Sequence, residues 1–547
     1  MAKLKRFLCL ALCVAALCGG TMIPAGAADG DRPSAGMRLL YDAGDFALRA
    51  LAWGISCVLP GKIPPIDERD FYPGMAAFID GPQGGDPGWR LGYARASLLY
   101  EGLFDPVTKE YIGPNDLYVG GALGGEEQRD IIDRKNPLRL VDDQGVRVTA
   151  LSDGSGRGTA VFASVDCYAL TSYDVRAVRA QLRDFARENN VVSINICSLH
   201  QHSCIDTLGI NGPLLLALPL NPIAMLTGLF PPYSGRNETF MDNLHQTVAA
   251  SIREAVGNME RGALYYGATD VTENVVDDRR KPFVTDTEMH RLRFVPDNGA
   301  SRETWLVNLS AHCTHLGATT RHISSDYPYY MEEIIGERAN FQMILGAELA
   351  VYTVTGHMWA PGKTSIDVMK EYGYLMGQKL IDMGGGDEEL RPILNVRSLS
   401  YTLPIDNPIH RVAFSLGMIK STGQRRYPIG PDLDLLTETG YMELGDNLAV
   451  AFGPGEIDPT LVYGGVLSAE EAFQGWEYEF TPMVDMVGGR KLLMFGLMND
   501  HSGYCLLPND IHNFVLFENE EINAASTQAA PLLLKAFAQV TGSCRQR

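Results

Sequence analysis

Positive charge is the first thing this chain has little of. Its 46 lysines and arginines face 66 aspartates and glutamates, a formal net charge of −20, and no basic block is present. That argues against nucleic acid as a partner, because polyanion binding needs a concentrated cationic surface. It also removes any electrostatic pull toward anionic lipid. Nucleotide loops are missing too: residues 71–147 are rich in glycine, as in Gly84-Gly-Asp-Pro-Gly88 and Gly120-Gly-Ala-Leu-Gly-Gly125, but no GxGxxG or Walker pattern sits between a strand and a helix. Cysteine is sparse, ten in 547 residues, with no CxxC pair. Seven lie beyond the leader, at 57, 167, 197, 204, 313, 505 and 544, and are too scattered for a disulfide framework. Cys197 and Cys204 form the nearest pair. No repeat, low-complexity linker or second domain interrupts the chain.

What is there begins with a leader. Met1-Ala-Lys-Leu-Lys-Arg6 is basic, Phe7 to Leu17 is apolar, and Ala25-Gly26-Ala27 supplies small residues. This is the pattern of a secretory signal peptide over 1–27, cut after Ala27 and too short for an anchor. It makes the expected address secreted and extracellular. Leu17 before Cys18 is a poor fit to lipoprotein processing. Residues 28–70 read as an amphipathic helical lead, with Leu39, Phe46, Leu51, Trp53 and Val58 along one side and a stop at Pro60. Its polar side lacks the basic cluster of an interfacial helix, so it is expected to pack on the main domain, residues 71–547.

Buried strands in this domain end in chemistry. Thr159 to Asp166, a helix from Ser172 to about Glu188, and Val191 to Leu199 form a strand–helix–strand unit, which places Asp166 and His200 at neighbouring strand ends. Alternation along the strand points His200 and His202 to one face and Gln201 to the other. Glu303 to Ser310 delivers His312. Leu448 to Phe452 leads into Gly453-Pro-Gly-Glu456, and Lys491 to Leu497 leads into Asn499-Asp-His501-Ser-Gly-Tyr504. The expected fold class is α/β, with mixed sheets flanked by helices and a metal site at strand ends. Further expectations are a solvated turn at Asp277–Arg280, from which an arginine can reach the site, a strand over Arg411–Ser415, and a closing helix from about Ile522 to Val540.

Between Asp206 and Arg236 lie 29 residues without a charge. Prolines at 213, 219, 222, 231 and 232 exclude a spanning helix, so the segment reads as an apolar loop or broken helical hairpin. It is either a core insertion or the lining of an acyl-chain pocket that can touch a membrane surface.

Four strands ending in HxH, His-Cys-Thr, PGE and Gly-Tyr, in this order, resemble the neutral and alkaline non-lysosomal ceramidases. The resemblance covers roughly residues 70 to 547. It implies a zinc ion held by His200 or His202 with His312, Glu456 and Tyr504, and an N-acyl lipid substrate. His200-Gln-His-Ser-Cys204 departs from the family's HxHSGP, and Cys313 replaces a glycine. The family's nucleophilic serine, in a GDVSPN segment, is best matched here by Gly356 to Pro361, which puts Ala360 at the serine position. The family's terminal immunoglobulin-like domain has no counterpart after Tyr504. With that serine unmatched, the expectation is a zinc-dependent amidohydrolase in which metal-bound water is the nucleophile, with whichever of His200 and His202 is not bound to metal, and His315 or His357, as candidate bases. His322, Asp326 and His501 flank the motifs. Leu215, Leu218, Met225, Leu229 and Phe230 are candidates for contact with the acyl chain. The alternative is a metal-containing lipid-binding protein without catalysis.

Overall fold

Side chains alternate across a strand, and Thr159–Val165 shows what that alternation builds. Val161, Ala163 and Val165 pack with Val175, Val178 and Leu182 of the helix Ser172–Glu188 and with Phe240, Leu244 and Val248 of the helix Glu238–Gly257. Ala160 and Phe162 face the other way, against Val450, Phe452, Leu493 and Phe495 of a second sheet. That sheet turns Ala449, Ala451, Leu492 and Met494 outward, onto Leu533 and Phe537 of the helix Ala529–Arg545. Two mixed sheets thus pack face to face, each covered outside by helices, in an α/β fold. The computed structural model describes residues 35–59, 64–113, 116–120, 138–316, 320–425, 432–512 and 521–545. The leader 1–27 lies outside them.

The long strands, in chain order, are β1 Trp89–Ser97, β2 Gly145–Ser152, β3 Thr159–Val165, β4 Val191–Ser198, β5 Glu260–Asp270, β6 Glu288–Pro296, β7 Glu303–Leu309, β8 Ala339–Leu345, β9 Leu394–Pro404, β10 Leu433–Leu444, β11 Leu448–Phe452 and β12 Lys491–Phe495. The large sheet runs β8-β7-β6-β5-β1-β2-β3-β4 and the smaller one β9-β10-β11-β12. In the large sheet β7–β8 and β3–β4 are parallel and lie at the two ends, with antiparallel pairs between them. Parallel neighbours need a crossover, supplied by Ser172–Glu188 for one pair and Asp326–Ile335 for the other. The two ends meet. Gln342 of β8 donates to the carbonyls of Arg147 in β2 and Phe162 in β3, 2.9 Å each, and accepts from Thr149 at 2.7 Å. The carboxyl ends of β4 and β7 are thereby brought together.

The lead forms a helix, Ala35–Val58, that packs on the main domain as expected. Ile55 and Leu59 join Ala217, Leu416 and Met418, and Arg49 and Arg38 donate to the carbonyls of Asp406 and Phe473. The uncharged segment is a helix, Leu214–Thr227, despite Pro219 and Pro222 inside it. Among the described residues, no helix is long and apolar enough to cross a membrane. Two expectations are corrected. Arg411–Ser415 belongs to a helix, Pro408–Ser415, because Asn407 caps it by accepting the Ile409 and His410 N–H groups while Pro408 opens the first turn. The closing helix is Ala529–Arg545, preceded by a short turn at Glu521–Asn523. Pro531 is tolerated there because it lies in the first turn.

Asn407 also donates to the Ile522 and Ala524 carbonyls at 2.9 and 2.8 Å, and is fully buried. Loss of a cap costs about 1 kcal/mol, and stranded buried carbonyls add about 1–3 kcal/mol. Asn407→Ala should therefore cost about 2–4 kcal/mol in urea unfolding. Asn237→Ala, which removes a cap to Phe240, should cost about 1 kcal/mol. Equal losses for the two would show that the buried bonds contribute nothing.

Candidate metal centre

β4 stops at Ser198, and His200 already has φ +52, so a turn rather than strand alternation sets the two imidazoles side by side. Asp166, at the end of the neighbouring β3, latches that turn. Its carboxylate accepts from Gln201 Nε2 at 2.9 Å, the Gly145 N–H at 2.8 Å and the buried guanidinium of Arg147 at 2.7 Å. With Gln201 held there, the His200 and His202 rings sit 4.8 Å apart. The second loop is tied to the first, since the His202 N–H donates to the Cys313 carbonyl at 3.2 Å and the His312 N–H to that of Val351 at 2.9 Å. Glu456 arrives from β11 through Gly455, at φ +153. A Cβ at Gly455 would come within 2.4 Å of the Gly503 carbonyl oxygen, so this close approach requires glycine. Glu456–Ile457 then pairs in parallel with Tyr504–Cys505, with Glu456 opposite Tyr504.

Three pairs of facing atoms lie close enough to share a cation. His202 Nε2 and His312 Nε2 are 3.2 Å apart, His200 Nε2 and Glu456 Oε1 3.5 Å, and His312 Nε2 and Glu456 Oε2 3.8 Å. Tetrahedral zinc with bonds of about 2.0–2.1 Å separates neighbouring ligand atoms by about 3.3 Å. His200 Nδ1 lies 2.9 Å from the Tyr168 carbonyl, so it carries the ring proton and Nε2 keeps its lone pair. His312 Nδ1 is in contact with the carboxylate of Glu348, which is fully buried, and the same logic applies. Burial, and then the neighbouring imidazoles, hold His200 and His202 well below the ordinary histidine range. Neutral imidazoles with one carboxylate suit a divalent metal, which would be held by His200, His202, His312 and Glu456. The structure brings both histidines of the HxH pair to the cluster, where the sequence left the choice open.

Tyr504 is buried with Leu349, Ala350 and Leu506. Two neighbours, Tyr168 and Glu348, carry no signal in the sequence, and His501, one of the residues flanking the motifs, joins them at the cluster. Tyr168 stacks on His200 with ring centroids 4.7 Å apart. Glu348 ends the run after β8 as a lone acid in an apolar stretch. His501, in the motif before Tyr504, lies 5.6 Å from His200 ring to ring, and forms with His200 and Glu456 another group of potential ligands. Burial pulls its pKa down to about 3.

Other candidates lie apart. His315 bonds Asp326 and Thr353. His357 is exposed in the turn Gly356–Met358, and Ala360 is exposed beyond it. Leu218 and Met225 pack against the helix Ala35–Val58 cluster, Leu229 is 79% exposed, and Phe230 leans on Tyr233. The Leu215 side chain lies outside the described residues. The solvated turn at Asp277–Arg280 is corrected. Asp277 ends a strand paired with Val351–Thr353, and Arg280 is buried 3.5 Å from Asp510. Arg279 lies 4.7 Å over the Tyr352 ring, which in turn faces His312 at 5.5 Å.

The face-to-face mixed sheets flanked by helices make a ceramidase-like fold. A neutral ceramidase from Pseudomonas aeruginosa superposes over 84% of this chain and 75% of its own length, with a TM-score of 0.59 and 14% identity. A ceramidase complexed with C2 covers 84% and 76%, with a TM-score of 0.58 and 14% identity. At this identity the likeness is one of fold. No family model matches the chain, and no curated protein matches it in sequence.

His312→Ala should abolish stoichiometric metal binding, whereas Glu348→Gln should lower affinity about 10–100-fold with the ligands still in place. Elemental analysis and competitive chelator titration measure both. Unchanged metal content in His312→Ala would remove it from the ligand set.

Proposed function

We propose that this chain is a secreted, zinc-dependent amidohydrolase that cleaves the amide bond of an N-acyl lipid, as ceramidases do. The observation that carries this reading is the convergence of three imidazoles and the Glu456 carboxylate, with facing atoms of three pairs 3.2, 3.5 and 3.8 Å apart, on a fold shared with a neutral ceramidase. Imidazole nitrogens with one carboxylate are the donor set of catalytic zinc. Bound there, zinc would supply a Lewis acid that polarises an acyl carbonyl and brings the pKa of water to about 7. The chain's own residues prepare the place: the Tyr168 carbonyl and the Glu348 carboxylate hold His200 and His312 in the tautomer that turns Nε2 inward. Asp166 fixes the loop that carries the histidine pair.

Support for a lipid comes from the uncharged segment that leaves the His202 loop. Leu216, Ile223, Leu226 and Leu229 are exposed there, and Leu39, Phe46 and Trp53 are exposed on the helix that shares its packing cluster. We read this surface as a contact with neutral membrane, which an acidic protein approaches through apolar rather than ionic forces. The leader over 1–27 supports export.

Fatty acid should be released from a fluorescent N-acyl sphingosine, lost on chelation and restored by zinc. Glu456→Gln should lower kcat/KM by roughly 100-fold. Release that chelation leaves untouched would remove the metal from the reaction, and stoichiometric metal with no release would put the lipid-binding protein in its place.

A further inference from the structure

The histidine that stands apart from the metal cluster has a partner on each ring nitrogen. His315 Nδ1 lies 2.7 Å from Asp326 Oδ1, and His315 Nε2 lies 3.3 Å from Thr353 Oγ1. Asp326 also accepts the His315 backbone N–H through Oδ2 at 3.0 Å, so ring and backbone are fixed to one carboxylate. That carboxylate is fully buried and is itself set in place. Its Oδ1 takes the Tyr327 N–H at 2.7 Å, and its residue holds φ +56, a left-handed conformation that costs a non-glycine residue energy and clusters at functional sites.

The direction of proton transfer follows from these contacts. An ionised carboxylate accepts hydrogen bonds and donates none, so His315 Nδ1 carries the ring proton. Nε2 is therefore bare, and the Thr353 hydroxyl donates across the 3.3 Å contact. The rings of Tyr327 and Tyr372 enclose the imidazole at 5.6 and 5.2 Å, while Thr353 itself is half-buried. A hydroxyl, a proton-accepting imidazole and a buried carboxylate in series are the parts of an activated oxygen nucleophile. Thr353 is also tied to the metal centre. Two residues earlier the Val351 carbonyl takes the His312 N–H, and the adjacent Tyr352 ring lies 5.5 Å from that of His312.

We propose that Thr353 is an acyl-accepting nucleophile, with His315 as its general base and Asp326 as the residue that positions the base. Its substrate class is the amide or ester carbonyl of an acyl compound, and this rests on the hydrolase reading above. Thr353 Oγ1 bonds to the acyl carbon as its proton passes to His315 Nε2. The C–N bond breaks, and the departing amine takes that proton, leaving an ester on Thr353. Water then gives a proton to the same Nε2 and its oxygen to the acyl carbon. The bond from Oγ1 to the acyl carbon breaks, the proton returns to Oγ1, and the carboxylic acid leaves. Water is the one co-reactant consumed.

The test uses the whole zinc-loaded protein with p-nitrophenyl butyrate and a fluorescent N-acyl sphingosine, with metal content measured for every variant. Thr353→Val keeps the shape and removes the hydroxyl. At unchanged metal content it should lose about 100-fold or more in ester turnover, whereas Thr353→Ser should stay within about tenfold of wild type. Asp326→Asn should lower kcat with little change in KM. Acid-quenched mass spectrometry should place a butyryl group at position 353 in the wild-type and serine chains. Wild-type turnover in Thr353→Val, or an adduct that maps elsewhere, overturns the proposal. Ester turnover with the adduct at 353 but no cleavage of the sphingosine amide contradicts the lipid reading and keeps the nucleophile. Chelator-sensitive amide cleavage that survives in Thr353→Val does the reverse.

Discussion

Lone pairs that face one another in a buried space repel unless a proton or a metal cation lies between them. His200 Nε2, His202 Nε2, His312 Nε2 and the Glu456 carboxylate are such a set, and much of the architecture serves to hold them in place. Gln342 closes the large sheet so that the ends of β4 and β7 meet. Asp166 clamps Gln201, and so decides which way the histidine pair turns. The contact of Gly455 with the Gly503 carbonyl lets the carboxylate arrive from the second sheet. Each device spends local conformational freedom, which the packed layers on either side compensate.

Much of the fold was legible because its buried strands are short apolar runs that end abruptly in polar residues. Val191–Ser198, Glu303–Leu309 and Leu448–Phe452 each lead from β-branched and aliphatic residues into a histidine or a PGE turn. The segment around Val412 and Phe414 was misread, because two alternating apolar residues carry less information than the Asn407-Pro408 start signal just before them. Alternation paired His200 with His202 correctly but for a reason the chain does not use, since the strand has ended before either residue. Tyr168 and Glu348 were hidden for a different cause. A tyrosine after a strand and a lone acid each look like ordinary core or surface until turns bring them to the same point. The link between His315 and Thr353 spans 38 positions with no pattern between them.

The candidate metal cluster and a hydroxyl–imidazole–carboxylate chain are carried by one loop pair. His312 and His315 are three residues apart, and Val351 and Thr353 two, so one local arrangement of backbone sets both. This offers a physical reason why the fold tolerates 14% identity to a neutral ceramidase. Layers of apolar side chains accept substitution while volume and pattern persist, whereas the loops at strand ends are where chemistry can be rewritten. His357 in the turn Gly356–Met358 and Ala360 beyond it are exposed, and neither is drawn into the buried centre.

The most direct test of the account is the metal content of the purified wild-type protein, measured by elemental analysis after dialysis against metal-free buffer. The geometry of His200, His202, His312 and Glu456 predicts one tightly held divalent ion per chain, with zinc retained in preference to magnesium or calcium. A folded protein that carries no metal, and binds none when zinc is supplied, would contradict it.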